Sequence, residues 1–170
     1  MTFKWIGAIM IIVGGALSGL LLCMSYRHEE QALRQLIAAL EYMESELQYR
    51  MTPLPELCRQ IGKERTGMIG QLFQNLANEL ETQISPDVHS CLAVAAARLG
   101  SIPPKTQYAI CRLGESLGRF DLEGQLRGID SVRCHCRNEL EVLISGKDAR
   151  LRSYQTLGLC AGAALAILLV

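Results

Sequence analysis

The residues most able to do chemistry in this 170-residue chain are Cys134, His135 and Cys136. A Cys-His-Cys triplet resembles a fragment of a metal site, where thiolate and imidazole are the ligands zinc and iron take. On a helix, positions i and i+2 point about 200° apart, so the two thiols cannot share one ion. No second Cys-x-x-Cys or histidine pair completes the set. The triplet therefore reads as Cys136 in a core and His135 at the surface, with a metal or redox protein as a lesser alternative. His28 and His89 are isolated and expected at the surface. Glu115 and Asp121 are six apart and do not share a helix face, so they read as solvated charges. There is no Gly-Lys-Ser/Thr phosphate loop, no His-Glu-x-x-His and no Gly-x-Ser-x-Gly;. We expect no catalytic residues, no cofactor and no metal, and a chain that is not an enzyme.

Charge excludes a further class. Seventeen basic and 17 acidic residues cancel, so no basic excess points to nucleic acid;. The seven cysteines are odd in number, and two of them, Cys23 and Cys160, lie in apolar end segments. Reduced thiols facing a cytoplasm fit this better than a disulfide framework.

The elements around these residues are helical. Leu33, Leu36, Ile37, Leu40, Met43 and Leu47 form a stripe at helical spacing. Thr52-Pro53-Leu54-Pro55 stops it. A short helix from about Pro55 to Arg65 carries Leu57, Cys58 and Ile61. A third stripe runs from Met68 to about Ile84. Ser85-Pro86-Asp87 reads as the start of a fourth helix, with Ser85 as the cap, ending at Gly100. Ser101-Ile102-Pro103-Pro104 opens a fifth with Tyr108, Leu113 and Leu117. A sixth begins near Asp121 and is expected to be interrupted at Gly146. No alternating strand pattern occurs. The fold class is all-α, an antiparallel bundle of about six helices over residues 26–153.

The two ends differ in kind. All 17 acidic residues lie between Glu29 and Asp148, and every basic residue except Lys4 lies between Arg27 and Arg152. Residues 6–24 are uncharged, a run that spans about 28 Å as a helix, close to the bilayer's hydrocarbon core. A secretory signal is the rival reading, but no small-residue cleavage site follows the run, and bulky Leu22 before Cys23 argues against a lipoprotein cysteine. Residues 154–170 form a second uncharged run of about 25 Å, which Arg150 and Arg152 extend by snorkelling. A core helix would keep a polar face, and this run has none after Thr156. The chain is thus expected to have a transmembrane anchor at 1–25 and a transmembrane helix at 154–170. By the positive-inside rule the middle faces the cytoplasm and both termini lie across the membrane. Gly15 and Gly19, and Gly158 and Gly162, place small residues four apart. Such pairs let membrane helices approach closely, within one chain or in a homo-oligomer, though glycine is also simply common in spans.

Two stretches carry a resemblance. Gly114-Glu115-Ser116-Leu117-Gly118-Arg119 resembles the Gly-Glu-x-x-Gly segment of the F-domain platform proteins of type II secretion and type IV pilus systems. Thr52-Pro53-Leu54-Pro55-Glu56 resembles the Thr-Pro-Leu turn after their first helix. Glu46 to Glu56, together with a helical middle between two terminal spans, is similar to the stage III sporulation protein AB family over essentially the whole chain. The resemblance implies a non-enzymatic membrane platform of a secretion-like channel in endospore formation, on the mother-cell side. The implied partners are a secretion-type ATPase, the sporulation protein AA, and other membrane components of the channel. Secretion platforms usually carry two F-domains; this chain has one copy, and a dimer is one way to supply the second. The implied interface is Thr52, Pro53, Leu54, Pro55, Glu56, Gly114, Glu115, Gly118 and Arg119. Taken physically, Gly114 and Gly118 would line a groove on one helix face flanked by Glu115 and Arg119. That groove takes either a partner or a neighbouring helix of the same bundle.

Overall fold

Stripes of apolar residues at helical spacing have to be covered, and among the described residues six helices accomplish this. The computed structural model describes the backbone of residues 2–82, 87–118 and 121–169, and the side chains of residues 26–82, 87–118 and 121–146. In order the helices are α1 (Thr2–Tyr49), α2 (Leu54–Glu64), α3 (Gly67–Thr82), α4 (Val88–Ala97), α5 (Pro104–Ser116) and α6 (Leu122–Leu169). No strand occurs among the described residues. The all-α expectation holds.

The chain divides into two units, residues 29–140 and residues 1–28 with 141–170. The first holds the core. Leu33, Leu36, Leu40 and Met43 of α1 are fully buried, as are Leu57 of α2 and Ile69, Leu72, Phe73 and Leu76 of α3. Side-chain bonds set the packing order. Tyr42 Oη donates to Gln60 Oε1 at 3.0 Å and Arg65 Nη2 donates to the Ala38 carbonyl at 3.3 Å, so α2 runs back along α1. Arg133 pairs with Glu44 and Arg137 with Glu41, so α6 runs antiparallel to α1 as well.

Three boundaries differ from the sequence expectation. The fourth helix is capped by Asp87, whose Oδ1 accepts from the Ser90 amide at 3.3 Å; Ser85 lies outside the described residues. The carboxylate sits one residue before Val88, where the free amides of a helix start need an acceptor. That helix ends at Ala97 with Arg98 as its C-cap. The sixth helix runs straight through Gly146, because one glycine weakens a helix without breaking it;. Among the described residues no helix is long and apolar enough to cross a membrane. The expected spans at 6–24 and 154–170, with Gly15, Gly19, Gly158 and Gly162, lie outside the residues whose side chains are described.

Candidate functional site

The stretch from Glu46 to Glu56 is a helix stop followed at once by a helix start. Glu46, 7% exposed, sits in the last turn of α1. Its Oε2 accepts from Thr52 Oγ1 at 2.9 Å, and its Oε1 pairs with Arg50 Nη1 at 3.3 Å. Its backbone carbonyl accepts from the Arg50 amide at 3.0 Å. Met51 then reverses the chain in the left-handed region, φ 51°. Pro53 is the N-cap of α2, its carbonyl accepting from the Leu57 amide at 3.0 Å, and Pro55 sits in the first turn, where its missing N–H costs nothing;. Glu56 favours that N-terminus and is held by Arg59 at 3.1 Å and by Gln60 Nε2 at 3.3 Å;. Behind the turn, burial, and then the charges of Glu46 and Glu64, raise the Tyr42 hydroxyl above its usual range, partly offset by Arg50;.

The second motif is not the groove the spacing suggested. Gly114 lies inside α5, buried against α4. A β-carbon there would stand 3.0 Å from His89 Nδ1 and 3.2 Å from Leu92 Cδ2. Gly118 lies beyond the helix, because Ser116 is its last residue and Leu117 is extended. Its φ of 75° is one glycine takes freely, and a β-carbon would meet Val88 Cγ2 at 2.5 Å;. The two glycines therefore fit α4 to α5 and turn the chain; they do not share a helix face. Glu115 remains exposed and pairs with Arg112 at 3.6 Å. Arg119 lies outside the described residues.

The two motifs nevertheless come to one place. Ser116 packs on Gly128 of α6 so closely that a β-carbon on Gly128 would stand 2.3 Å from Ser116 Cβ. Arg133, five residues along α6 and about 7.5 Å by helical rise, pairs with Glu44 of α1;. The first turns of α6 thus lie between the end of α5 and the end of α1. Both motifs sit at the end of the 29–140 unit opposite the end near Glu29 and Glu139, which Lys105 joins to the start of α5. Beside Glu115 is a recess of about 490 Å³, lined by His89, Arg112, Ser116, Gly128 and Ser131. His89, expected at the surface, is half-buried, and its Nδ1 is buried without a hydrogen-bond partner. Glu46 and Ser116 stood in the two stretches that carry the resemblance, without a role of their own, and nothing in the sequence singled out Gly128.

The Cys-His-Cys triplet splits as its spacing requires. Cys134 is exposed, Cys136 is fully buried, and His135 lies against Tyr108 with ring centroids 5.2 Å apart. Among the described residues no group of three or more His, Cys, Asp or Glu is placed to hold a metal ion. Burial pushes the Cys58 thiol up to about 12, and burial with the Glu139 charge pushes Cys136 up to about 11;. At pH 7.5, maleimide should therefore label Cys111 and Cys134 in the folded protein, and Cys58 and Cys136 only after unfolding; mass spectrometry of the adducts reads this. The same shifts fix the alkaline behaviour. Both folded thiols hold their protons more tightly than the ordinary value of 9.0, so their contribution is intact below pH 9 and is lost as pH rises from 9 towards 11 and 12;. Thermal melts across that range should fall, and a flat profile would count against the buried placement.

Comparison with known proteins agrees with this architecture. The family model described as stage III sporulation protein AB matches residues 4–170. A stage III sporulation protein AB from Bacillus subtilis (strain 168) is 25% identical over 170 residues, covering 98% of this chain and 99% of that one. A solved structure of a stage III sporulation protein AB superposes with a TM-score of 0.64 at 22% identity, over 72% of this chain and 98% of that chain, which bears on the fold. The family is a sporulation family and not a known enzyme family. A match over nearly the whole chain assigns it: this protein belongs to the stage III sporulation protein AB family.

Proposed function

We propose that the chain is a non-enzymatic membrane platform of a secretion-like channel used in endospore formation, and that it couples a cytoplasmic secretion-type ATPase, the sporulation protein AA, to the membrane complex. In this reading residues 6–24 and 154–170 span the membrane and the bundle faces the mother-cell cytoplasm. The observation that carries it is the convergence of the Thr52–Glu56 turn and the Gly114–Gly118 segment at one end of the bundle, opposite the end where the chain enters and leaves. Glu115, exposed beside the recess of about 490 Å³, does little for the fold: it makes a long surface pair with Arg112 at 3.6 Å, a kind worth little to stability;.

The test uses the full chain in detergent and the purified ATPase. Glu115→Arg is expected to weaken binding about tenfold or more, about 1.4 kcal/mol per factor of ten, with the melting temperature unchanged. Tight binding that ignores this change would remove Glu115 from the interface, and no binding by the unaltered chain would overturn the coupling role.

A further inference from the structure

The helices are not equally committed to the core. Over residues 29–47 α1 buries seven apolar side chains, among them Leu33, Leu36, Leu40 and Met43; over the same length, residues 122–140, α6 buries three, Ile129, Val132 and Cys136. The leucines of that stretch do not make up the difference, since Leu122 is exposed and Leu126 and Leu140 are half-buried. Charge does much of the holding. Arg133 pairs with Glu44 and Arg137 with Glu41 of α1, and Glu139 pairs with Lys105 of α5 at 2.7 Å. These six side chains are 20–56% exposed, so water and salt reach all three pairs;. The hairpin of α2 and α3 is held differently, by buried Leu57, Ile61, Phe73 and Leu76 and by close backbone approach at Gly62 and Gly70.

We infer that α6, from Leu122 to Leu140, is a releasable strap, clamped to α1 and α5 by salt-sensitive ion pairs and able to leave the bundle as a unit while α1 to α5 stay folded. Parts of a fold open at their own free energies, lowest where buried apolar contact is sparse and the polar contacts face water. The other helices keep a core without α6, because α3 packs on α2 and α4, and α4 packs on α5. Release uncovers the face of α5 that carries Ser116 and Tyr108, which lie against Gly128 and His135. It also removes one wall of the recess beside Glu115, which Gly128, Ser131 and Val132 line. The strap is thus a gate on that recess, and its latch is charge.

Cys136 and Cys58 report the two kinds of opening, because both are fully buried, the first on α6 and the second on α2. The unfolding that frees Cys136 is release of α6; the unfolding that frees Cys58 is loss of the bundle. In the full chain in detergent, with Cys134→Ser so that one thiol of the triplet remains, maleimide labelling at neutral pH is followed by mass spectrometry. Each rate is taken relative to the same thiol in the urea-unfolded chain. Cys136 should react about tenfold or more faster than Cys58. Raising sodium chloride from about 0.05 M to about 0.5 M shortens the screening length about threefold, and should quicken Cys136 about threefold or more while leaving Cys58 within about twofold. Arg137→Glu should quicken Cys136 as well, and adding Glu41→Arg to the same chain should reverse that effect. Equal relative rates for the two thiols would mean that α6 leaves only with the whole bundle, and would overturn the inference. A Cys136 rate that ignores salt would overturn it too, since the clamp would not be ionic.

Discussion

Alanine at position 70 is expected to destabilise the bundle by about 3 kcal/mol or more, although it adds only a methyl group. A β-carbon there would stand 1.9 Å from the Arg65 carbonyl oxygen and 2.8 Å from its carbon. Those are backbone atoms, so no side chain can swing aside; the turn between α2 and α3 has to open. The same hairpin is tight at Gly62, where a β-carbon would meet Gln74 Cγ at 2.5 Å while Gln74 Nε2 donates to the Gly62 carbonyl at 2.8 Å. Opening the turn therefore also lengthens a buried-side hydrogen bond. Gly146→Ala is the control. That glycine lies inside α6 with nothing within 4 Å of the added atom, so alanine there should stabilise by about 0.5–1 kcal/mol through helix propensity;. Thermal unfolding followed by circular dichroism should show opposite signs for the two changes. A Gly70→Ala protein that melts with the unaltered chain would mean that α2 and α3 are not packed this closely.

Phe73→Ala should cost about 3–5 kcal/mol, the range for removing a fully buried aromatic ring. Phe73 is 0% exposed and lies on α3, which packs against both α2 and α4. Leu72, Leu76 and Ile69 of the same helix are fully buried as well, so the ring lies within the core. Urea titration should show a lower midpoint with an unchanged slope, because a cavity alters stability without altering the surface exposed on unfolding. A drop below 1 kcal/mol would place Phe73 outside the core.

The core was legible in the sequence because burial enforces a period. Leu33, Leu36, Leu40, Met43 and Leu47 all fall on one face of α1, and all are buried. Helix ends were less legible, because they depend on which single side chain reaches a free amide. Ser85 and Asp87 are both good caps; the sequence pattern pointed to Ser85, and it is Asp87 that reaches the Ser90 amide;. The glycine motif was read correctly as a place of close approach and wrongly as a helix face. Spacing of four implies one face only if the helix continues, and α5 stops at Ser116, before Gly118. Long-range pairs were not legible at all. The approach of Ser116 to Gly128 and the pairing of Arg133 with Glu44 link residues far apart in sequence, and those links bring the two motifs to one end. Glu46 shows the same limit at short range. A buried carboxylate is uncommon, and its partner Thr52 was visible only once the chain had turned at Met51;.

The most direct test of the proposed platform role is photocrosslinking from position 115 in sporulating cells, with a photoreactive amino acid in place of Glu115. An adduct between this chain and the sporulation ATPase is the predicted result. An adduct only with lipid or with a second copy of the chain, while the ATPase is present, would contradict it.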